Sequence, residues 1–448
     1  MTVATPEFTP PTLQPKVPST PVREYTPDLS QELRRVAPWD FPLLAAVVLL
    51  MGLGAVMVYS ATINESTQLA GDGALKLETH LVHLTVGVSL LITFTFVDYK
   101  RLRPFVYPGL AAIVGLLILV IVAGFEAGNA RRWIALPGFN IQPAEIAKLG
   151  FVVFLAHSIA KKGGRIRQFS VAFVPHFLIC SVLIVLSLFQ PDFGTSVILV
   201  ILMFTMLFAA GTRASYIVLF VFVGGFLAFQ AIASNDMRLG RVMAAIDPWA
   251  HREGRGFQMV ASQIAIGSGG WTGQGIGYGG QTLTGFLPEG ETDFILSVVG
   301  EQLGVLGMVL VAVAFIVVVY RGMRIAARTE EAFGRFLAFG ITLLLGLQAV
   351  INMLVAVALI PTKGLTLPFV SYGGSSMLVS TAAIGILLNI SRSHGIATLR
   401  AYGPPSEPAP ATKQSAKARR QQAPAASGWR SLFKRKRKQR QTLAEVLE

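Results

Sequence analysis

Long apolar runs recur along the chain, separated by short clusters of charge, glycine and proline. Ten of them come close to or exceed the ~20 residues that a helix needs to cross a bilayer. They fall at roughly 42–60, 81–97, 105–124, 142–160, 171–189, 193–211, 215–234, 293–320, 336–360 and 368–391. The spacing predicts an all-α, polytopic integral membrane protein with about ten transmembrane helices. Proline marks one division inside an otherwise continuous apolar stretch, at Gln190-Pro191-Asp192, where a helix cannot run on undisturbed.

Composition agrees with this reading. Hydrophobic residues make up 53% and charged residues 14% of the 448, against about a quarter charged in soluble domains. Of the 38 Lys and Arg behind the net charge of +14, 13 lie after residue 391, which points to a cytoplasmic tail beside anionic lipid, with nucleic acid the weaker reading. Basic residues also set the expected orientation. With the N-terminus inside, the short inner loops hold Lys100, Arg101, Arg103, Lys161, Lys162, Arg165, Arg167, Arg213, Arg321, Arg324, Arg328 and Arg335. The outer loops hold Lys76, Arg131, Arg132, Arg238, Arg241, Arg252, Arg255 and Lys363. Both termini are therefore expected in the cytoplasm.

Three regions follow. Residues 1–40 are a Pro- and Thr-rich tail expected to be disordered. Residues 41–391 form the membrane domain, with one large outer loop at 235–292. Residues 392–448 are a basic, disordered tail. Its Lys434-Arg-Lys-Arg-Lys438 block reads as a solvated run skimming anionic lipid, or as a docking site for a cytoplasmic partner. The first apolar run is expected to stay as a signal anchor. The lone Cys180 allows no intrachain disulfide.

Charges near the membrane are costly, at least ~2.5–3.5 kcal/mol at a helix centre, so each polar residue there needs a reason. Glu289, Glu291 and Asp293 lie within five residues at the outer end of the eighth helix. Asp293 could be a first-turn acid behind a Thr292 N-cap, or a general base whose pKa is raised by its neighbours. Asp192 has the same two readings at another outer helix start. Together with Glu289 and Asp293 it could hold a divalent cation such as Mg or Mn. Glu145 and Lys148, three apart, share a helix face and form either an ion pair or the wall of a polar cavity. Arg131, Arg132 and Trp133 are interfacial anchors, or, with Lys363, a cradle for a lipid diphosphate. The glycines at 273, 275 and 277 follow no strand, so a nucleotide loop is rejected. They are expected to fold close to the membrane surface. Gly373-Gly374 suits close helix approach or a broken helix. No organic cofactor motif occurs.

These segments, taken together, resemble the SEDS family of FtsW, RodA and their sporulation relatives. The matching stretches are Arg131-Arg-Trp-Ile134, Gln142-Pro-Ala-Glu-Ile-Ala-Lys148, Gln190-Pro-Asp-Phe-Gly-Thr195 and Leu287-Pro-Glu-x-x-Thr-Asp-Phe294. Gly300-Glu-Gln-Leu-Gly304 follows, then Pro361-Thr-Lys-Gly-Leu-Thr-Leu-Pro368 with Ser371-Tyr-Gly-Gly-Ser375. The resemblance implies a peptidoglycan glycosyltransferase that polymerises lipid II on the outer face of the bacterial cytoplasmic membrane. It also implies a class B penicillin-binding protein as partner, with other divisome or elongasome membrane proteins. It makes Asp293 catalytic, gives Trp133 a part, and lines a polar cavity with Asp192, Glu145, Lys148 and Lys363. Ser371, from the last motif, joins the substrate-binding candidates with Arg131, Arg132 and Glu289. One departure stands out: family members often carry His two residues before the Asp, and here that residue is Glu291.

The implied chemistry is a single displacement. A carboxylate takes the proton of a GlcNAc 4-hydroxyl as it attacks the donor's anomeric carbon, and undecaprenyl diphosphate leaves. An α-linked donor giving a β-linked polymer means inversion, for which one base suffices. A lipid II flippase and a non-catalytic scaffold recruiting a penicillin-binding protein are the rival readings. Pro361-Thr-Lys-Gly leans to the division branch, and Ser262-Gln-Ile-Ala-Ile-Gly-Ser-Gly269 to the elongation branch.

Overall fold

A computed structural model describes residues 39–70, 75–127, 130–136, 139–234, 236–283 and 285–402. Most of the N-terminal tail, and the C-terminal tail from 403 with its Lys434–Lys438 block, lie outside the described residues.

The apolar runs become helices α1 (Phe41–Ala70), α2 (Leu75–Phe96), α3 (Val106–Ala123), α4 (Pro143–Lys162), α5 (Phe169–Phe189), α6 (Phe193–Ala209) and α7 (Ala214–Ala233). After the large loop come α11 (Ile295–Arg328), α12 (Ala332–Ala356) and α13 (Gly374–Tyr402). Eight of these ten contain spans long and apolar enough to cross a membrane, and the other two are the shorter apolar helices Phe193–Ala209 and Ala214–Phe226. Their outward faces suit lipid rather than water: α7 alone exposes Val218, Leu219, Val221, Phe222, Phe226 and Phe229.

Several boundaries differ from the sequence expectation: the first helix runs to Ala70 rather than ending near 60, and the second opens at Leu75 rather than near 81. The last helix opens at Gly374 rather than near 368, because 361–373 is an extended and turning segment held by side-chain hydrogen bonds described below. It also continues to Tyr402 rather than stopping near 391. The helix expected over 293–320 starts at Ile295 and runs to Arg328. Apolar periodicity alone does not mark such ends. The segment between α3 and α4 adds strands to an otherwise helical fold: β1 (Phe125–Ala127), β2 (Ala130–Leu136) and β3 (Phe139–Ile141) form an antiparallel three-stranded sheet in that order.

α11 is the central pillar, packed against α1, α12 and a loop helix, α9 (Phe257–Gly269); α12 packs in turn on α4 and α6. At one end, Arg321 of α11 grips Asp40, just before α1, through two nitrogens at 2.7 Å each. At the other end α11 is broken. Gly304 takes φ 67°, ψ −166°, a region open in practice only to glycine. A broken helix at membrane depth leaves backbone groups that must find partners within the protein. The loop after α9 supplies them. Gln274 N and Gly275 N donate to the carbonyls of Glu301 and Gln302, each at 3.0 Å. Val305 N and Leu306 N donate back to Gly270 and Trp271. The glycines at 270, 273, 275 and 277 all have positive φ, which lets the loop lie flat against the break.

The rest of the 235–292 segment holds α8 (Asp236–Ile246) and the single turn α10 (Gly280–Leu283). Glu301, wholly buried in α11, ties down α10: its carboxylate accepts from Gln281 N at 2.7 Å and from Thr282 N at 3.1 Å. Thr282 also donates its hydroxyl to the same group, at 2.5 Å.

Gly304→Ala should therefore be costly. A Cβ there would sit 2.5 Å from Gly273 N and Trp271 O, and the backbone strain alone is about 1–3 kcal/mol. Thermal unfolding in detergent should show a midpoint several degrees lower than for Gly115→Ala, where a Cβ meets nothing within 4 Å. Equal midpoints would show that the break is not held as described.

Candidate active site

Helices of alternating direction bring the β2 hairpin, the α5–α6 junction, the loop before α11 and the 361–373 segment to one end of the bundle. Asp293 lies among them. The capping reading of this residue fails: the residue capping α11 is Phe294, without a side-chain cap bond, and the first turn of α11 carries no acid. The Thr292 hydroxyl turns to Glu289 Oε2 at 2.8 Å instead. For Asp192 the capping reading holds, since its Oδ1 caps α6 by accepting from Thr195 N at 2.9 Å. The two acids look alike by spacing, yet Asp192 caps its helix and Asp293 does not.

What holds Asp293 comes from far along the chain. Asn352, buried in α12, donates from its amide to the Asp293 carbonyl at 2.9 Å and to the Leu365 carbonyl at 2.7 Å. Ser371 donates to the Thr292 carbonyl at 2.6 Å while accepting from Leu367 N at 2.9 Å. Tyr372 N donates to the Glu291 carbonyl at 2.8 Å. One asparagine, one serine and one backbone amide thus lace the 289–293 loop to the 361–373 segment. Ser371 is spent on this scaffold. Asn352 was not foreseen: an amide in an apolar helix was the available signal.

The electrostatics around Asp293 are opposed. Burial raises its carboxyl from 3.8 to about 7, followed by the charge of Glu289; Arg132 pulls it down, and Asp192 and Glu291 push it up further. Burial dominates because a carboxylate loses more than a neutral acid when removed from water. Arg132 is the opposing cation. Its guanidinium is aimed by the carbonyls at the α5–α6 break, with Nε donating to Gln190 at 2.8 Å and a terminal nitrogen to Pro191 at 2.7 Å. Gly364 lies between the pair: a Cβ built there would be 3.6 Å from both Arg132 and Asp293 Oδ2.

The other expected residues separate. Arg131 and Trp133 flank Arg132 in β2, and successive side chains on a strand point to opposite faces, so the two arginines do not form one cradle. Arg131 is exposed and Trp133 half-buried. Lys363, half-buried beside Gly364, has its ammonium pKa lowered by burial. Glu145 and Lys148 are an ion pair in α4 at 2.7 Å, with side chains 8% and 1% exposed, which is the structural reading. Glu289, Asp192 and Asp293 were the expected cation ligands. Asp192 and Glu289 each commit an oxygen to a hydrogen bond, and among the described residues no three His, Cys, Asp or Glu side chains are grouped to hold a metal ion. These donors do not make a protein-built cation cage.

Comparison with known proteins places this arrangement. Residues 41–395 match the sequence model of the FtsW, RodA and SpoVE family, described as "Cell cycle protein". A relative in Trichlorobacter lovleyi, called "Probable peptidoglycan glycosyltransferase FtsW", is 44% identical over 368 residues, spanning 82% of this chain and 96% of the relative. A solved chain described as "Structural coordination of polymerization and crosslinking by a peptidoglycan synthase complex" superposes with TM-score 0.67 at 27% identity, covering 80% of this chain and 99% of its own. The rod shape determining protein RodA of Thermus thermophilus superposes at 0.60 and 27% identity, covering 80% and 98%. The protein is a polytopic membrane protein and belongs to the FtsW, RodA and SpoVE family.

Proposed function

We propose that this chain is a peptidoglycan glycosyltransferase that polymerises lipid II at the outer face of the bacterial cytoplasmic membrane, with Asp293 as its general base. The observation that carries the reading is the placement of Asp293, laced in by Asn352, Ser371 and Tyr372 and facing Arg132 across Gly364, where burial and neighbouring acids push its carboxyl up to about 7. A base with that pKa is free to accept a proton near neutrality and strong enough to share the proton of a sugar hydroxyl as the bond forms.

In the proposed reaction Asp293 takes the proton of the acceptor GlcNAc 4-hydroxyl. The hydroxyl oxygen attacks the donor's anomeric carbon, and the bond to undecaprenyl diphosphate breaks with inversion. Arg132, pre-aimed by the Gln190 and Pro191 carbonyls, and Lys363 are placed to meet the charge developing on the diphosphate. Such preorganised donors need no rearrangement during the reaction. The lowered pKa of Lys363 follows from burial, and a phosphate dianion would offset that loss of hydration.

The basic-residue asymmetry of the loops supports placing both termini inside and the Asp293 end outside. The FtsW names of relatives at 41–44% identity support a septal rather than a lateral role. A class B penicillin-binding protein, which would supply crosslinking, is the proposed partner. It fits the synthase complex to which the superposed chain belongs.

Asp293→Asn should lower glycan synthesis from purified protein, partner and lipid II by about 10²–10⁴-fold while the variant elutes and melts as the parent does. Glycan strands at parental yield on a gel would refute the assignment. The pH dependence has a fixed sign. The base works deprotonated, so with a pKa of about 7 the competent fraction is about one tenth at pH 6 and about nine tenths at pH 8. Initial rates should rise through that window. A flat profile, or a rise centred near the ordinary carboxylate pKa, would contradict it.

A further inference from the structure

Glu291 occupies the position two before Asp293, and its charge is one of those acting on the Asp293 carboxyl. Its side chain has a partner from outside the loop. Lys76 Nζ, in the first turn of α2, lies 2.9 Å from Glu291 Oε1, with the two side chains 24% and 18% exposed. The same end of α2 clasps the neighbouring segment. The Tyr372 hydroxyl bonds Thr79, the His80 ring lies 6.0 Å from the Tyr372 ring, and His83 packs where a Cβ on Gly374 would lie. Through Tyr372 N the clasp returns to the Glu291 carbonyl. Side chain and backbone of Glu291 are thus both held, one by α2 and one by the 361–373 segment.

We propose that Lys76 is a positioning residue of the active site: its ammonium pins Glu291 and cancels that charge, so the loop presents Asp293 without adding the full field of a further acid beside Glu289 and Asp192. The proposal rests on Asp293 being the base. It explains how this chain tolerates an acid at a position so close to the reacting carboxylate. A partly covered pair with good geometry can do this, whereas an exposed one contributes little.

The groups that face Asp293 are Glu289 and Glu291 from its own loop, Arg132 from β2 and Asp192 from the start of α6, with Lys363 next to Gly364 in the segment opposite. Glu291 faces Lys76 and Tyr372, with His80 behind the tyrosine ring. Removing the Lys76 charge strips compensation from an acid. Removing the Glu291 charge leaves the Lys76 cation near Asp293. The two substitutions should therefore move the titration of the base in opposite directions, which a purely structural tie would not do.

The test is the initial rate of glycan synthesis by purified full-length protein with its partner and lipid II, from about pH 5.5 to about pH 8.5. Lys76→Met should shift the acid limb of the profile up by about half to one pH unit, a loss of about two- to fivefold at pH 7 that disappears at the alkaline end. Glu291→Gln should shift the limb down, and Lys76→Arg should leave it in place. Equal loss at every pH, or a limb that neither substitution moves, overturns the proposal. Should Lys76→Met fail to fold, Lys76→Gln takes its place, with the same upward shift expected and an unmoved limb overturning the proposal. Failure of the base assignment shows separately, as an unaltered parent without a limb near pH 7 or as an active Asp293→Asn.

Discussion

One half-buried carboxylate, among other acids and opposite an aimed arginine, is the constraint on which the rest depends. Holding an acid at about 7 instead of 3.8 corresponds to on the order of 4 kcal/mol of folding free energy forgone above neutrality. The sign is fixed. A group whose pKa rises on folding binds its proton more tightly in the folded state, so its cost is absent at low pH and grows as pH climbs from about 4 towards 7. Such a group persists only where the surroundings over-determine its position. Asn352, Ser371 and Tyr372 supply that determination through three hydrogen bonds to consecutive residues of one short loop.

The pillar behind the loop explains how a flexible-looking segment can be so firmly placed. α11 begins two residues after Asp293 and is broken at Gly304, where the glycine loop after α9 satisfies the freed backbone groups. Close backbone approach recurs wherever this end of the bundle is assembled. Gly54 of α1 leaves room for the backbone at Phe369 and Val370, and Gly374 for His83. Small residues let the 361–373 segment sink between α1 and α2. From there its hydrogen bonds reach the 289–293 loop.

Much of this was legible in the sequence. The ten helices were, because long apolar runs leave few alternatives in a bilayer. Several features were not. Asp192 and Asp293 each sit at an outer helix start, and local spacing could not tell the acid that caps its helix from the one that does not. The difference lies in partners contributed by residues dozens of positions away. Arg131 and Arg132 looked equivalent because the strand that separates them was not anticipated, and three short strands give too little alternation to detect. Glu301 stood in view as an acid within an apolar helix, yet its partners, Gln281 and Thr282, belong to a loop whose path could not be read from periodicity.

The central claim concerns the protonation of one side chain, and infrared difference spectroscopy reads that directly. In the purified protein, the carbonyl stretch of a buried carboxylic acid should disappear on titration with a midpoint near pH 7 and be missing from Asp293→Asn. A band that titrates near pH 4, or one that survives in that variant, would contradict the account.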